Sequence, residues 1–473
     1  MLFNSIDFII FFAVVVVLYF TVPQRFRYVV LLMASCYFYM AFIPWYILIL
    51  FYLIVLDFFL GLKIERTENK KHRLRWLWVS IFSNIGTLFV FKYFNFFNAN
   101  FSEFFGMLDI SYPKYYFSLL LPLGLSFHTF QSLSYIIEVY RGNVKAEKHL
   151  GIYALYVMFF PQLVAGPIER PAHIIPQFRE VHQFSFPRLI SGGQRMLWGF
   201  FKKIVIADNL AIFVNIVYGN PGEFSGPYLA MATVFFAFQI YCDFSGYCDI
   251  ALGAAEVLGF KLSENFNYPY FASSISDFWR RWHITLSLWF RDYVYFPLGG
   301  SLGKEIKTIR NLLITFLLSG LWHGANWTFV IWGLLNGVYL VFGHWKRKFF
   351  PGLPSFNFVS VFSTFILTCF AWIFFRAKNL TDAWYIVTNL FSGWGSFSFS
   401  EAIYLGRIDT DFFLAILGIT VLLLVEKIHT QPDFYKKTFL SSTVMRTAGY
   451  TALLFLIAAL WEGRGTEFIY FQF

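Results

Sequence analysis

Long apolar runs alternate with short polar breaks along almost the whole chain. The runs fall near residues 7–23, 27–43, 45–62, 76–97, 117–140, 195–218, 228–258, 311–325, 327–343, 357–374, 411–427 and 446–461. Most approach the roughly 17 to 25 residues that a helix needs to cross about 30 Å of hydrocarbon. The pattern predicts an all-α polytopic membrane protein with about 11 transmembrane helices. Two stretches depart from it. From Gly151 to Ile168, Pro161, Gly166 and Pro167 would break a regular helix, which predicts a re-entrant or interfacial segment. Such a backbone is tolerated at membrane depth only where protein covers it or it lines a cavity. From Ser276 to Tyr295 the chain is aromatic but too charged to face lipid. A helix starting at Phe278, capped by Ser276 or Asp277, would put Trp279, His283, Leu286 and Phe290 on one face. No repeat or low-complexity linker divides the chain, so residues 1–473 read as one integral-membrane domain.

Composition agrees with this reading. Hydrophobic residues make up 58% of the chain and charged residues 14%, against about a quarter charged in soluble domains. The net charge of +10 would suit a nucleic-acid binder, but an excess of Lys and Arg in cytoplasmic loops is the rule in membrane proteins. The basic residues do cluster between apolar runs: Lys63, Arg66, Lys70, Lys71, Arg73 and Arg75; Arg141, Lys145 and Lys148; and Lys346, Arg347 and Lys348. Taking all three clusters as cytoplasmic places the N-terminus outside, and nucleic acid is not expected as a partner. The first residues lack the basic region and cleavage site of a signal peptide, so the first run is expected to remain as a helix. Cys36, Cys242, Cys248 and Cys369 have no paired spacing and read as packing residues; no metal site is expected. No P-loop, GxSxG elbow or HExxH motif occurs, which leaves nucleotide hydrolysis, serine-hydrolase and zinc-protease chemistry without local support.

Histidine is the informative residue, because an ionisable group at membrane depth is costly and marks a candidate site. Of nine histidines, His128, His283 and His323 lie at membrane depth. His323 sits in Leu-Trp-His-Gly-Ala-Asn-Trp, with Gly320 and Gly324 one turn apart to allow close helix approach. A neutral imidazole there could take a proton from a hydroxyl attacking a thioester; a packing histidine bonded to a carbonyl fits the residues equally. His283 lies in Arg-Arg-Trp-His. Arg280, Arg281 and Arg291 could clamp the phosphates of a donor or meet lipid head groups, and Trp282 and Asn326 are counted with them as donor-binding candidates. Asp243, Asp249 and Glu256 could form a proton path, but structural pairing with nearby cations is favoured. His128 reads as structural.

These same residues carry a resemblance to the membrane-bound O-acyltransferase (MBOAT) superfamily. Within it, the chain is most similar to the bacterial branch that includes the alginate O-acetyltransferase membrane subunit and the D-alanyl-lipoteichoic acid transfer protein. The matching segments are residues 121–127, 159–168, 201–210, 241–247, 265–270, 277–292 and 321–324, with the C-terminal Glu-Phe-Ile-Tyr-Phe-Gln-Phe. The resemblance implies a ring of tilted helices around a central funnel, His323 as the catalytic histidine and His283 as the second histidine of the bacterial branch. It implies an O-acyltransferase of the bacterial cytoplasmic membrane. Acetyl would move from acetyl-coenzyme A or an acyl-carrier thioester in the cytosol, across the bilayer, to an exported or cell-surface polysaccharide. An exported acyltransferase partner would complete the transfer, and no bound cofactor is implied. D-alanyl transfer is the first alternative. A proton-coupled transporter without covalent chemistry and a scaffold for an exported transferase are the others.

Overall fold

The computed structural model describes residues 1–113, 115–350, 357–405, 409–430, 443–461 and 467–469, and none of these lies in a strand. Their contacts sort into two compact units, Met1–Gly193 with Ala251–Ser263, and Gln194–Ile250 with Glu264–Phe473.

Several helices begin where a polar side chain satisfies the first free N–H groups of an apolar run. In the first unit, Ser5 accepts from Phe8 N–H to start α1 (Ile6–Thr21). Next come α2 (Gln24–Met40), α3 (Ile47–Arg66) and α4 (Lys70–Leu88), the last capped by Asn69. The basic residues expected to fill a loop between α3 and α4 sit on the helix ends instead, leaving only residues 67–69 between the helices. After a π-helical turn at Phe89–Tyr93 the chain continues as α5 (Phe94–Gly106). The run expected over 117–140 becomes helical only at α6 (Leu125–Arg141). Pro122 has no N–H to donate, and Gly124 turns the chain with φ of 71°. Asp57, which the apolar pattern conceals, is fully buried and accepts from Ser80 Oγ at 2.5 Å and Asn84 Nδ2 at 2.8 Å.

The break expected between Gly151 and Ile168 is present. A helix, α7 (Leu150–Met158), stops before Pro161, and Phe159 to Ile168 follow as buried irregular backbone. Next are α8 (Pro171–Ile174) and the start of α9 (Phe186–Phe200). His128 is 1% exposed, its Nε2 2.8 Å from the Leu163 carbonyl, which fits the structural role read for it. His182 is also buried, its Nε2 2.9 Å from the Gln177 carbonyl.

The second unit holds the rest: α10 (Asp208–Gly219), reached from α9 through a π-helical stretch at Phe201–Ala207, then most of α11 (Gly226–Leu258). The expected helix from Ser276 to Tyr295 is broken. It forms α12 (Ile275–Arg281), capped by Ser274 rather than by Ser276 or Asp277, then α13 (Ile284–Phe290) and a π-helical turn. The break falls at His283, whose φ of 42° is left-handed, so the single face proposed for Trp279, His283, Leu286 and Phe290 does not exist. Beyond it lie α14 (Glu305–His323), α15 (Trp327–Phe349), α16 (Asn357–Arg376), α17 (Leu380–Asn389), α18 (Phe399–Tyr404), α19 (Asp409–His429) and α20 (Thr443–Leu460).

Among the described residues, six helical segments are long and apolar enough to span a membrane: Pro44–Arg66, Lys70–Gly106, Gly226–Leu258, Trp327–Phe349, Phe358–Arg376 and Phe412–His429. Shorter apolar helices lie at Ile6–Thr21 and Val444–Leu460. The chain is an all-helical, multi-pass membrane protein.

Backbone contact between α14 and α15 fixes the level of His323. A Cβ on Gly320 would fall 2.3 Å from the Phe329 carbonyl oxygen, and one on Gly333 2.4 Å from that of Phe316. Backbone cannot yield as a flexible side chain can. Gly320→Ala is therefore expected to cost about 1–3 kcal/mol through overpacking. Gly343→Ala on α15, where nothing lies within 4 Å, should leave the thermal midpoint in detergent unchanged or raise it. Equal midpoints for the two variants would contradict the close packing.

Candidate active site

His323 is the last residue of α14. Gly324 leaves the helix in extended conformation, and Asn326 caps α15 two residues later. A Cβ at Gly324 would lie 2.1 Å from the Phe329 ring, so the tight corner requires glycine. The corner sets the imidazole in an aromatic wall, 4.7 Å from Trp322, 4.9 Å from Trp332 and 5.2 Å from Phe375 between ring centroids. The side chain is 5% exposed. Rings meet it edge-to-face, the geometry that the aromatic quadrupole favours.

His283, 1% exposed, packs against the same tryptophan, its ring 6.3 Å from Trp322 and 4.7 Å from Phe244. Two histidines forty positions apart thus share one indole. The His283 Nδ1 lies 3.2 Å from Asn265 Oδ1. That oxygen also accepts from Thr285 N–H at 3.1 Å and Thr285 Oγ at 2.9 Å. Asn265 stood in a recognised segment, but nothing local in the sequence marked it as the partner of His283.

The donor-binding candidates occupy different settings. Trp282 is inside the wall, 1% exposed and packed on Trp372 at 5.2 Å and Phe266 at 5.1 Å. Asn326 is engaged as a cap, accepting from Thr328 N–H and donating to the Lys378 carbonyl. Arg280 is exposed at the end of α12. Arg281 pairs with Asp277 at 3.0 Å, and Arg291, beyond the break, with Asp292 at 2.8 Å. The arginines therefore do not share one continuous helix.

The carboxylates considered for a proton path are engaged. Asp243 pairs with Lys203 at 2.6 Å, and Asp249 with Lys202 at 2.5 Å and Arg195 at 3.1 Å. Arg195 also reaches Glu264, and Lys203 also reaches Asp208 at 2.9 Å. In the first unit, Glu256 accepts from the Ser191 hydroxyl. Lys202 and Lys203 were recognised only as members of a family segment. The signal was nonetheless present: two lysines inside one apolar run and two aspartates inside another require pairing in lipid. Glu426 on α19, buried and bonded by the Tyr241 hydroxyl, was also passed over. Residues 467–469 close on the Lys203 cluster: the Ile469 N–H donates to Asp243 Oδ2 at 2.8 Å, and the Phe468 ring lies 4.5 Å below Lys203 Nζ.

The arrangement offers imidazoles in a water-poor aromatic wall, on a frame held by ion pairs. An imidazole so placed can accept a proton or donate a hydrogen bond to a carbonyl, and these contacts are stronger where water is excluded.

Comparison with known proteins agrees with the segments noted in the sequence. The profile of the MBOAT, membrane-bound O-acyltransferase family matches residues 148–384. The chain is 38% identical over 404 residues to the probable alginate O-acetylase AlgI of Pseudomonas aeruginosa, covering 85% of this chain and 76% of that one. It is 37% identical over 392 residues to the peptidoglycan O-acetyltransferase of Helicobacter pylori, covering 75% and 71%. With the teichoic acid D-alanyltransferase of Bacillus subtilis it shares 30% identity over 275 residues, 54% of this chain and 69% of the relative.

Proposed function

We infer the reaction from one premise: the chain belongs to the membrane-bound O-acyltransferase family and is an O-acyltransferase. Its group is acetyl, taken from a cytosolic thioester, acetyl-coenzyme A or an acyl-carrier thioester, and delivered across the bacterial cytoplasmic membrane to an exported or cell-surface polysaccharide. Two relatives named as O-acetyl enzymes match over 75% and 85% of the chain, and the D-alanyl relative over 54%. D-alanyl transfer is therefore the second reading. The basic clusters support an N-terminus on the outer side, and an exported transferase completes delivery to the polymer.

The observation that carries the mechanism is the pair of buried histidines that both pack against Trp322. A ring nitrogen of His323 takes the proton of the acceptor hydroxyl as its oxygen attacks the thioester carbonyl carbon. The carbon–sulfur bond then breaks, and the thiolate takes that proton from the imidazolium. An ester and a free thiol result, with no net proton released. His283 orients the donor or shares the proton transfer. Arg280, Arg281 and Arg291 supply positive charge for donor phosphates, with Asp277 and Asp292 exchanged for phosphate as the donor arrives.

The test uses purified protein in nanodiscs with radiolabelled acetyl-coenzyme A and a soluble polysaccharide acceptor. The expected result is release of free thiol together with appearance of label on the acceptor or on the protein. Thioester cleavage with neither acetyl nor D-alanyl donors, alongside substrate movement driven by a pH gradient, would overturn the reading in favour of a transporter.

A further inference from the structure

We propose that Asn265 is a positioning residue for the transfer reaction: it holds the His283 imidazole in one orientation and one tautomer, with the proton on Nδ1 and the lone pair on Nε2. The proposal rests on the reading of His283 as one of the two working histidines.

The argument starts at the backbone. His283 adopts a left-handed conformation, φ 42° and ψ 55°, that side chains other than glycine rarely take. The segment around Asn265 holds it there. The Ile284 N–H donates to the Asn265 carbonyl at 2.9 Å, and the Asn267 N–H to the Arg281 carbonyl at 2.9 Å. The chain from 265 to 267 is thus laced to both sides of the break between α12 and α13. A regular helix through His283 would need none of these bonds.

The Asn265 side chain then acts on the ring. Its amide orientation follows from chemistry, because the atom facing Thr285 N–H, an obligatory donor, must be the oxygen. The amide nitrogen points to the Cys248 sulfur at 3.5 Å, a weak acceptor. His283 Nδ1 therefore faces a carbonyl oxygen and must carry a hydrogen to bond with it. In the neutral ring this leaves the lone pair on Nε2. Phe244 meets the ring edge-to-face at 4.7 Å, and Asn265 itself is 1% exposed, so no water competes for Nδ1 from that side. Which imidazole nitrogen can act as a base is set by the bond that the other one makes. The opposite tautomer would leave an N–H at Nε2 and no lone pair there to accept a proton.

The test compares Asn265→Ala, Asn265→Asp and His283→Ala, each in nanodiscs with radiolabelled acetyl-coenzyme A, with rates normalised to folded protein by size-exclusion chromatography. Asn265→Ala is expected to lower kcat by roughly 10- to 100-fold with KM for the thioester little changed, as for other residues that orient a functional imidazole. Asn265→Asp keeps the acceptor for Nδ1–H and for Thr285 but adds a charge that favours imidazolium. It should recover most of kcat at high pH, with the acidic limb of the pH–rate profile moved to higher pH. An unshifted profile for Asn265→Asp, or wild-type kcat for Asn265→Ala while His283→Ala is inactive, would overturn the positioning role. Full activity of His283→Ala would instead remove the reading beneath it. If Asn265→Ala does not fold, the Asp profile alone decides.

Discussion

Replacing His323 by alanine is expected to abolish acyl transfer while leaving a folded, membrane-inserted protein. A positioned general acid–base contributes about 100- to 10,000-fold to rate, so the residual activity should fall within that range below wild type, in kcat and kcat/KM alike. The aromatic wall argues against collapse on substitution. Trp332, Phe375 and Trp372 make contacts among themselves that do not pass through His323: Trp332 lies 5.2 Å from Phe375 and 5.9 Å from Trp372, and Trp372 lies 5.1 Å from Phe375. The measurement is label transfer from acetyl-coenzyme A, paired with elution profile and thermal midpoint in detergent. Retained transfer by a folded alanine variant would remove His323 from the mechanism and favour a scaffold or transporter. An inactive variant that also melts early would call for His323→Gln, which keeps a hydrogen-bonding group of similar length but cannot act as a base.

The largest loss of stability is expected at Lys203. Its ammonium is 1% exposed and bound by Asp243 and Asp208. Removing one partner of a buried pair leaves the other charge without compensation, at a cost of about 3–5 kcal/mol. Lys203→Met should therefore lower the thermal midpoint sharply. It should also release residues 467–469, because Lys203 bonds the Glu467 carbonyl and Asp243 bonds the Ile469 N–H; limited proteolysis near the C-terminus would report this. The double variant Lys203→Met with Asp243→Leu should regain part of the loss, since replacing both charges removes the desolvation cost along with the attraction. A Lys203→Met midpoint equal to wild type would mean that the ion pair contributes nothing to stability.

Much of the fold was legible because hydropathy is a local property. The apolar runs beginning near 7, 45, 228, 327, 357 and 411 each became an apolar helix within a few residues of the expected ends, and Pro161 and Gly166 marked a break that the structure also has. The errors share one cause. The helix through 276–295 and the early start at 117 came from composition, whereas the chain's course there depends on backbone bonds from distant residues and on a left-handed glycine. At the site, the histidines were visible as costly groups in apolar surroundings. Asn265 and Glu426 were not marked, since each acquires its meaning from a partner on another segment, whereas Lys202 and Lys203 carried a signal, as charges inside an apolar run, that was not used.

By itself the sequence determined that this chain lives in lipid, roughly where its helices run, that His323 and His283 are the residues to test, and which family they resemble. Transfer free energies add along a segment, and a motif is local, so both can be read in a window. Only the tertiary structure decided that the two histidines share Trp322, that Asn265 faces Nδ1, that Trp282 lies within the wall, and that the intramembrane carboxylates are paired with Lys202, Lys203 and Arg195. Those facts depend on how each helix is rotated and where it stops against its neighbours. Packing between segments far apart in the chain sets both, and no local pattern of residues encodes them.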